Sequence, residues 1–73
     1  MTSEELSYLI RSARKKRGWS RQTVADKIGI SAMTVRRYET DLEGLSTFET
    51  LRRILGVLGY ELTVVRRRDA FDR

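Results

Sequence analysis

The stretch RQTVADKIGISAMTVRRYET, residues 21–40, constrains the fold more than any other part of the chain. Counted from Arg21, its fifth position is Ala25 and its ninth is Gly29. The fourth, eighth, tenth, fifteenth and eighteenth are Val24, Ile28, Ile30, Val35 and Tyr38. Two short helices joined by a tight turn require this spacing. A small residue lets the helices touch, glycine accepts the positive φ of a sharp turn, and the apolar residues fill the concave side of the hook. All seven positions comply, which an arbitrary pair of amphipathic helices seldom achieves. The pattern predicts helices over about 21–28 and 32–40, capped by Ser20 and Ser31. Ile30 is expected in the elbow. Ala32, Met33, Thr34, Arg36 and Arg37 are expected on the outer side of the second helix.

The flanking sequence predicts a helix on either side. Thr2-Ser3-Glu4-Glu5 reads as a capping box, a hydroxyl N-cap with a carboxylate three residues on. Leu6, Leu9, Ile10 and Ala13 follow at helical spacing. Gly18 is a left-handed stop after Arg17, so this first helix is expected over about 3–17. Trp19 and Val24 occupy the two positions of a hydrophobic staple around Ser20. After a loop at Thr40–Leu45, Ser46 or Thr47 is expected to cap a last helix, with Glu49 as its partner. Phe48, Leu51, Ile54, Leu55 and Leu58 form that helix's apolar stripe, and Gly59 ends it. Gly56 inside a helix costs up to about 1 kcal/mol relative to alanine, which points to close packing at that place.

Composition limits the chemistry. At 73 residues the chain has room for one domain. It contains no Cys and no His, so disulfides and the common zinc sites are not expected. Neither a metal nor a cofactor is expected. Glu39, Asp41 and Glu43 lie close in sequence, but without His, Cys or a phosphate loop they do not make an enzyme. No apolar run approaches the ~20 residues of a membrane span, and the acidic MTSEELSYLI start is unlike a secretory signal. A cytoplasmic protein is the expectation. The net charge is +5, and its distribution is uneven. Between Arg11 and Arg37 stand Arg11, Arg14, Lys15, Lys16, Arg17, Arg21, Lys27, Arg36 and Arg37, with Asp26 the one acid. Such a basic half suggests a polyanionic partner. The aromatic residues Tyr8, Trp19, Tyr38, Phe48, Tyr60 and Phe71 fit core or strand positions better than a platform for stacking RNA bases.

The hook, together with Arg14-Lys15-Lys16-Arg17-Gly18 before it and Glu39 at its end, resembles the Cro/lambda-repressor-like helix-turn-helix family, also called the xenobiotic response element family. The resemblance runs from about Leu6 to Leu58. It implies a mainly α domain of four helices whose third helix enters the major groove of double-stranded DNA. It also implies a partly buried ion pair between Arg14 and Glu39. The implied DNA-binding residues are Ser20, Arg21, Gln22, Ser31, Ala32, Met33, Thr34, Arg36 and Arg37. Ala32 and Met33 are suited to thymine methyls, Arg37 to guanine and Arg36 to phosphate. Ser20, Arg21 and Gln22 lie at the N-terminus of the hook's first helix, a ready phosphate site.

The chain departs from the family in places. Relatives often carry Gln where Arg21 stands; the swap is expected to keep a phosphate contact and to lose the bridge that Gln makes to the third helix. Asp41 and Glu43 after the third helix are expected to repel phosphate. The segment from Tyr60 to Arg68 is rich in β-branched residues and is read as a short β-strand that pairs with its counterpart in a second copy. Tyr60, Leu62, Thr63, Val64 and Val65 are the dimerising residues in that reading. This resembles a subgroup with a C-terminal dimerising strand, many of whose small members are antitoxins. The expected organisation is a DNA-binding domain over 1–59, a dimerisation strand over 60–68 and a flexible tail over 69–73. The function implied is a homodimeric repressor reading a near-palindrome. The alternative is an antitoxin whose main role is to hold a toxin protein.

Overall fold

The computed structural model describes residues 2–42 and 48–62. Four helices follow one another: α1 (Ser3–Lys16), α2 (Arg21–Ile28), α3 (Ala32–Thr40) and α4 (Phe48–Val57). Helices α1, α2 and α3 coincide with the sequence reading to within a residue, because their ends are written locally. Thr2 and Glu5 make the reciprocal capping box: the Thr2 amide donates to Glu5 Oε1 at 2.7 Å and the Glu5 amide donates to Thr2 Oγ1 at 3.0 Å. Ser20 and Ser31 each accept the amide of the threonine three residues on. Gly18, Gly29 and Gly59, the three glycines expected at helix ends, all have positive φ.

The core forms where the helices meet. Ile10 and Ala13 of α1, Val24, Ala25 and Ile28 of α2, Val35 and Tyr38 of α3, Leu42, and Ile54, Leu55 and Leu58 at α4 are buried together. Ala25 is wholly enclosed, consistent with the need for a small side chain where α2 and α3 touch. Helix α3 packs on both α1 and α2, and α4 packs on α2. Leu6, Leu9, Trp19, Ile30 and Leu51 are half-buried against this core.

Some of these expectations need correction, and others fall wholly or partly outside the described residues. Phe48 is not part of the buried stripe of α4; it is 55% exposed. Tyr8, expected to be a core aromatic, is 70% exposed on the outer side of α1. Gly56 is exposed as well, and a methyl group placed there meets no described atom within 4 Å. Its glycine therefore does not serve a close helix contact within the described residues. Glu49 pairs with Arg52 one turn on, at 2.7 Å, on the surface of α4. The expected caps Ser46 and Thr47 lie outside the described residues. Of the strand expected over 60–68, Tyr60, Glu61 and Leu62 are described and form no regular element; Thr63, Val64 and Val65 lie outside. The Tyr60 amide donates to the Leu55 carbonyl at 2.8 Å, closing the end of α4, and Leu62 packs on the core.

Gly56→Ala is expected to stabilise the domain by about 0.5–1 kcal/mol, since it adds helix propensity at an open surface position. Urea unfolding followed by circular dichroism checks this; a destabilised variant would mean that something does pack closely on Gly56.

Candidate nucleic-acid interface

The outward stripe of α3 is set by what the helix buries. Val35, Tyr38 and Glu39 face inward. Met33, Arg36, Arg37 and Thr40, which recur at helical spacing on the opposite side, are all exposed. Met33 is 59% exposed. No carboxylate among the described residues pairs with Arg36 or Arg37, while Thr40 Oγ1 donates back to the Arg36 carbonyl at 2.9 Å. Ala32 and Thr34, also expected on the outer side, are half-buried, and Ala32 packs against the core. The turn before α3 is tightly held. Gly29 has φ of 72°, and the Ile30 amide donates to the Ala25 carbonyl at 3.1 Å. Ser31 Oγ accepts the Thr34 amide at 3.1 Å and lies 3.0 Å from Thr34 Oγ1.

Beneath this face lies an ionic cluster. Arg14 Nε donates to Glu39 Oε2 at 2.6 Å, and Arg14 Nη2 donates to Glu39 Oε1 at 3.1 Å. A third bond joins Arg14 Nη1 to the Trp19 carbonyl at 2.7 Å. The Glu39 side chain has no solvent exposure. Arg21 completes the set: its Nε donates to Glu39 Oε1 at 3.0 Å. The expectation that the bridge from this position to the third helix is lost is therefore wrong. Arginine makes the bridge itself, with a charged donor in place of an amide. Arg21 is 34% exposed, and its Nε is the atom engaged with Glu39. Burial pushes the Glu39 carboxyl upward, but the hydrogen bonds and charges of Arg14 and Arg21 outweigh it and hold its pKa below the usual carboxylate value.

The other expected contacts lie at the start of α2. Ser20 is exposed and its Oγ accepts the Thr23 amide at 3.0 Å. Exposed Gln22 donates to Asp26 Oδ1 at 2.7 Å. Trp19, just before, carries two cations on its ring: Lys27 Nζ at 4.8 Å and the Arg17 guanidinium at 5.6 Å from the centroid. Sequence reasoning placed Trp19 in a staple and missed these partners. Lys27 is eight residues on from Trp19, across the length of α2, and nothing local in the sequence marks that pairing. Arg53 was missed too: from α4 its Nη2 donates to the carbonyl of Ile28 at the end of α2. Arg11, Lys15 and Lys16 are exposed on α1.

A pair of short helices joined by a tight turn, with an exposed second helix and a buried ionic brace, defines a helix-turn-helix domain. The helix-turn-helix family HTH_3 matches residues 10–65. No curated protein and no solved structure matched the chain. The chain belongs to the HTH_3 family, of the Cro/C1 type, and is a DNA-binding transcriptional regulator. That family is one of regulators and not of enzymes. Among the described residues no group of acids, histidines or cysteines forms a metal site, and no helix is long and apolar enough to cross a membrane.

The cluster predicts unequal costs. Arg14→Met is expected to cost about 3–5 kcal/mol, because it removes two of the bonds that satisfy a buried carboxylate. Arg21→Gln is expected to cost only about 1 kcal/mol, since the Arg14 bonds remain. Equal losses in urea titrations would contradict this ranking. The sign of the pH effect follows from the lowered Glu39 pKa. Its contribution is fully present above the unfolded value of about 4.3 and disappears as the pH falls through the lower folded value. Wild-type stability should thus drop on acidification below about pH 4.3, and less so in Arg21→Gln, whose Glu39 is shifted less.

Proposed function

We propose that this regulator is a sequence-specific repressor that acts in the cytoplasm as a homodimer, with α3 in the major groove of a near-palindromic operator. The observation that carries the reading is the free face of α3. Met33, Arg36 and Arg37 stand outward on one stripe while Val35, Tyr38 and Glu39 fasten the other side. In this reading Met33, with Ala32 at the groove edge, packs on thymine methyls. Arg37 makes the paired hydrogen bonds to guanine O6 and N7, and Arg36 meets a phosphate. Ser20, Arg21 and Gln22 approach the backbone at the start of α2, where the helix dipole favours an anion. Ser31 and Thr34 add hydroxyl contacts.

The Arg21 contact gains support from its geometry. The bond to Glu39 uses Nε, which leaves the two terminal amino groups of the fork for an outside oxygen. The residues over 63–68 are the basis for the dimer, through a strand shared between two copies. Two copies of α3 would then lie about one DNA turn apart, roughly 34 Å.

Selection of bound duplexes from random DNA is the direct test. A two-fold symmetric consensus is expected. A protein that binds all duplexes alike would shift the weight to the alternative, an antitoxin-like chain whose main partner is a protein. Against the selected site, Arg37→Ala should lose about 1–3 kcal/mol of discrimination at one base pair. Arg36→Ala should weaken all sequences alike and reduce the slope of log affinity against log salt by about one.

A truncation tests the dimer. The chain should be cut after Leu62 rather than before Tyr60, because Tyr60 closes α4 and Leu62 touches the core. The shortened protein is expected to be a folded monomer with weak operator binding. Light scattering that still reports a dimer would refute the strand as the dimerising element.

A further inference from the structure

Helix α2 ends on a carbonyl that its own turns do not satisfy. The last carbonyls of any helix lack an intrahelical donor. Here the Ile30 amide is already committed to Ala25. The Ile28 carbonyl is met instead from α4, by Arg53 Nη2. A cation at this place also complements the negative pole of α2. Ile28 is itself a core residue, and its neighbour Gly29 is the point at which the chain turns toward α3. Arg53 therefore grips the final residue of α2 immediately before the elbow. Its own helix lies outside the two-helix unit.

We propose that Arg53 is a positioning residue for DNA reading. It fixes the end of α2 from which the elbow and α3 hang, and so sets the angle at which Met33, Arg36 and Arg37 meet the duplex. The inference rests on the sequence-specific DNA reading above for its consequence, and on the Ile28 contact alone for its mechanism. Both Arg53 and its neighbour Arg52 are exposed, but among the described residues Arg52 engages only Glu49 on its own helix. The pair thus provides an internal control: removing either takes away one positive charge, and only one of the two holds α2.

The experiment compares Arg53→Met, Arg53→Lys and Arg52→Met in the full chain. The first readout is amide hydrogen exchange without DNA. Loss of a charge-assisted bond at Ile28 should speed exchange at Ile30 about tenfold or more in Arg53→Met. Arg53→Lys, which keeps a cationic donor, and Arg52→Met should leave Ile30 near wild type. The second readout is affinity for the selected operator and for random duplex across a salt series. Arg53→Met should weaken operator binding by about threefold to thirtyfold, a range set by typical coupling energies. Its random-duplex affinity and salt slope should stay unchanged.

Unchanged Ile30 exchange in a folded Arg53→Met protein would overturn the proposal. So would a reduced salt slope, which would make Arg53 a phosphate ligand. Equal effects from Arg52→Met would reduce the finding to net charge and overturn it too. If Arg53→Met does not fold, Arg53→Gln, which keeps a neutral donor, takes its place in the same comparison. If the wild-type chain itself fails to discriminate operator from random duplex, the regulator reading fails, while the exchange data still judge the Arg53 contact.

Discussion

The Glu39 carboxylate is the point on which the rest of the structure depends. It lies on α3, receives two bonds from α1 and one from α2, and has no contact with solvent. A lone buried carboxylate would be costly to hold ionised. Two arginines make it tolerable, and in doing so they tie three helices to a common centre. Arg14 extends the tie further, since its third nitrogen, Nη1, holds the Trp19 carbonyl at the turn into α2. A small hydrophobic core resists relative sliding of helices only weakly, because apolar contacts have little directional preference. Charged hydrogen bonds do have direction. The cluster thus supplies orientation to a domain whose cohesion comes from apolar burial.

Orientation matters for the proposed contacts, because reading DNA with one short helix leaves little tolerance. The elbow is defined from several sides at once. Gly29 provides the backbone conformation, Ile30 closes onto Ala25, Ser31 caps α3, and Arg53 holds the Ile28 carbonyl. Glu39 anchors the far end of α3 while Ser31 fixes its near end. The helix between them is held at both ends and turned so that Met33, Arg36 and Arg37 stay outside. Under the proposed DNA contacts this is preorganisation: the helix that presents these side chains does not have to be positioned by the duplex.

What could be read from sequence follows this division. Caps, turn glycines and the apolar period are local signals, and they located α1, α2 and α3 to within a residue. Ser20 and Ser31 announce themselves because capping acts over three residues. Contacts between helices are not local. Arg21 stood at a position where Gln is usual, and reading the change as a loss missed that a longer charged side chain reaches the same carboxylate. Arg53 and Ile28 are 25 residues apart, and no pattern in either segment announces that they meet. Gly56 misled in the opposite sense. Glycine in a helix is a cost whose reason sequence alone cannot supply, and here the described surroundings are open.

The same distinction changes the meaning of the charge count. Nine basic residues between Arg11 and Arg37 against one acid suggested a broad field for a polyanion. Arg14 is spent inside on Glu39, and Arg21 shares that carboxylate through one nitrogen. Arg17 and Lys27 lie over Trp19. They keep their charge but are tethered where the ring is. Of the nine, Arg11, Lys15 and Lys16 on α1 and Arg36 and Arg37 on α3 have no such contact among the described residues. Glu39, which lies just beyond Arg36 and Arg37 in sequence, does not neutralise them, because it is turned inward and occupied by other arginines. The carboxylate that seems in sequence to weaken the basic face is therefore turned away from it: Glu39 engages Arg14 and Arg21 and orders the scaffold, and the two arginines on its own helix have no acidic partner among the described residues.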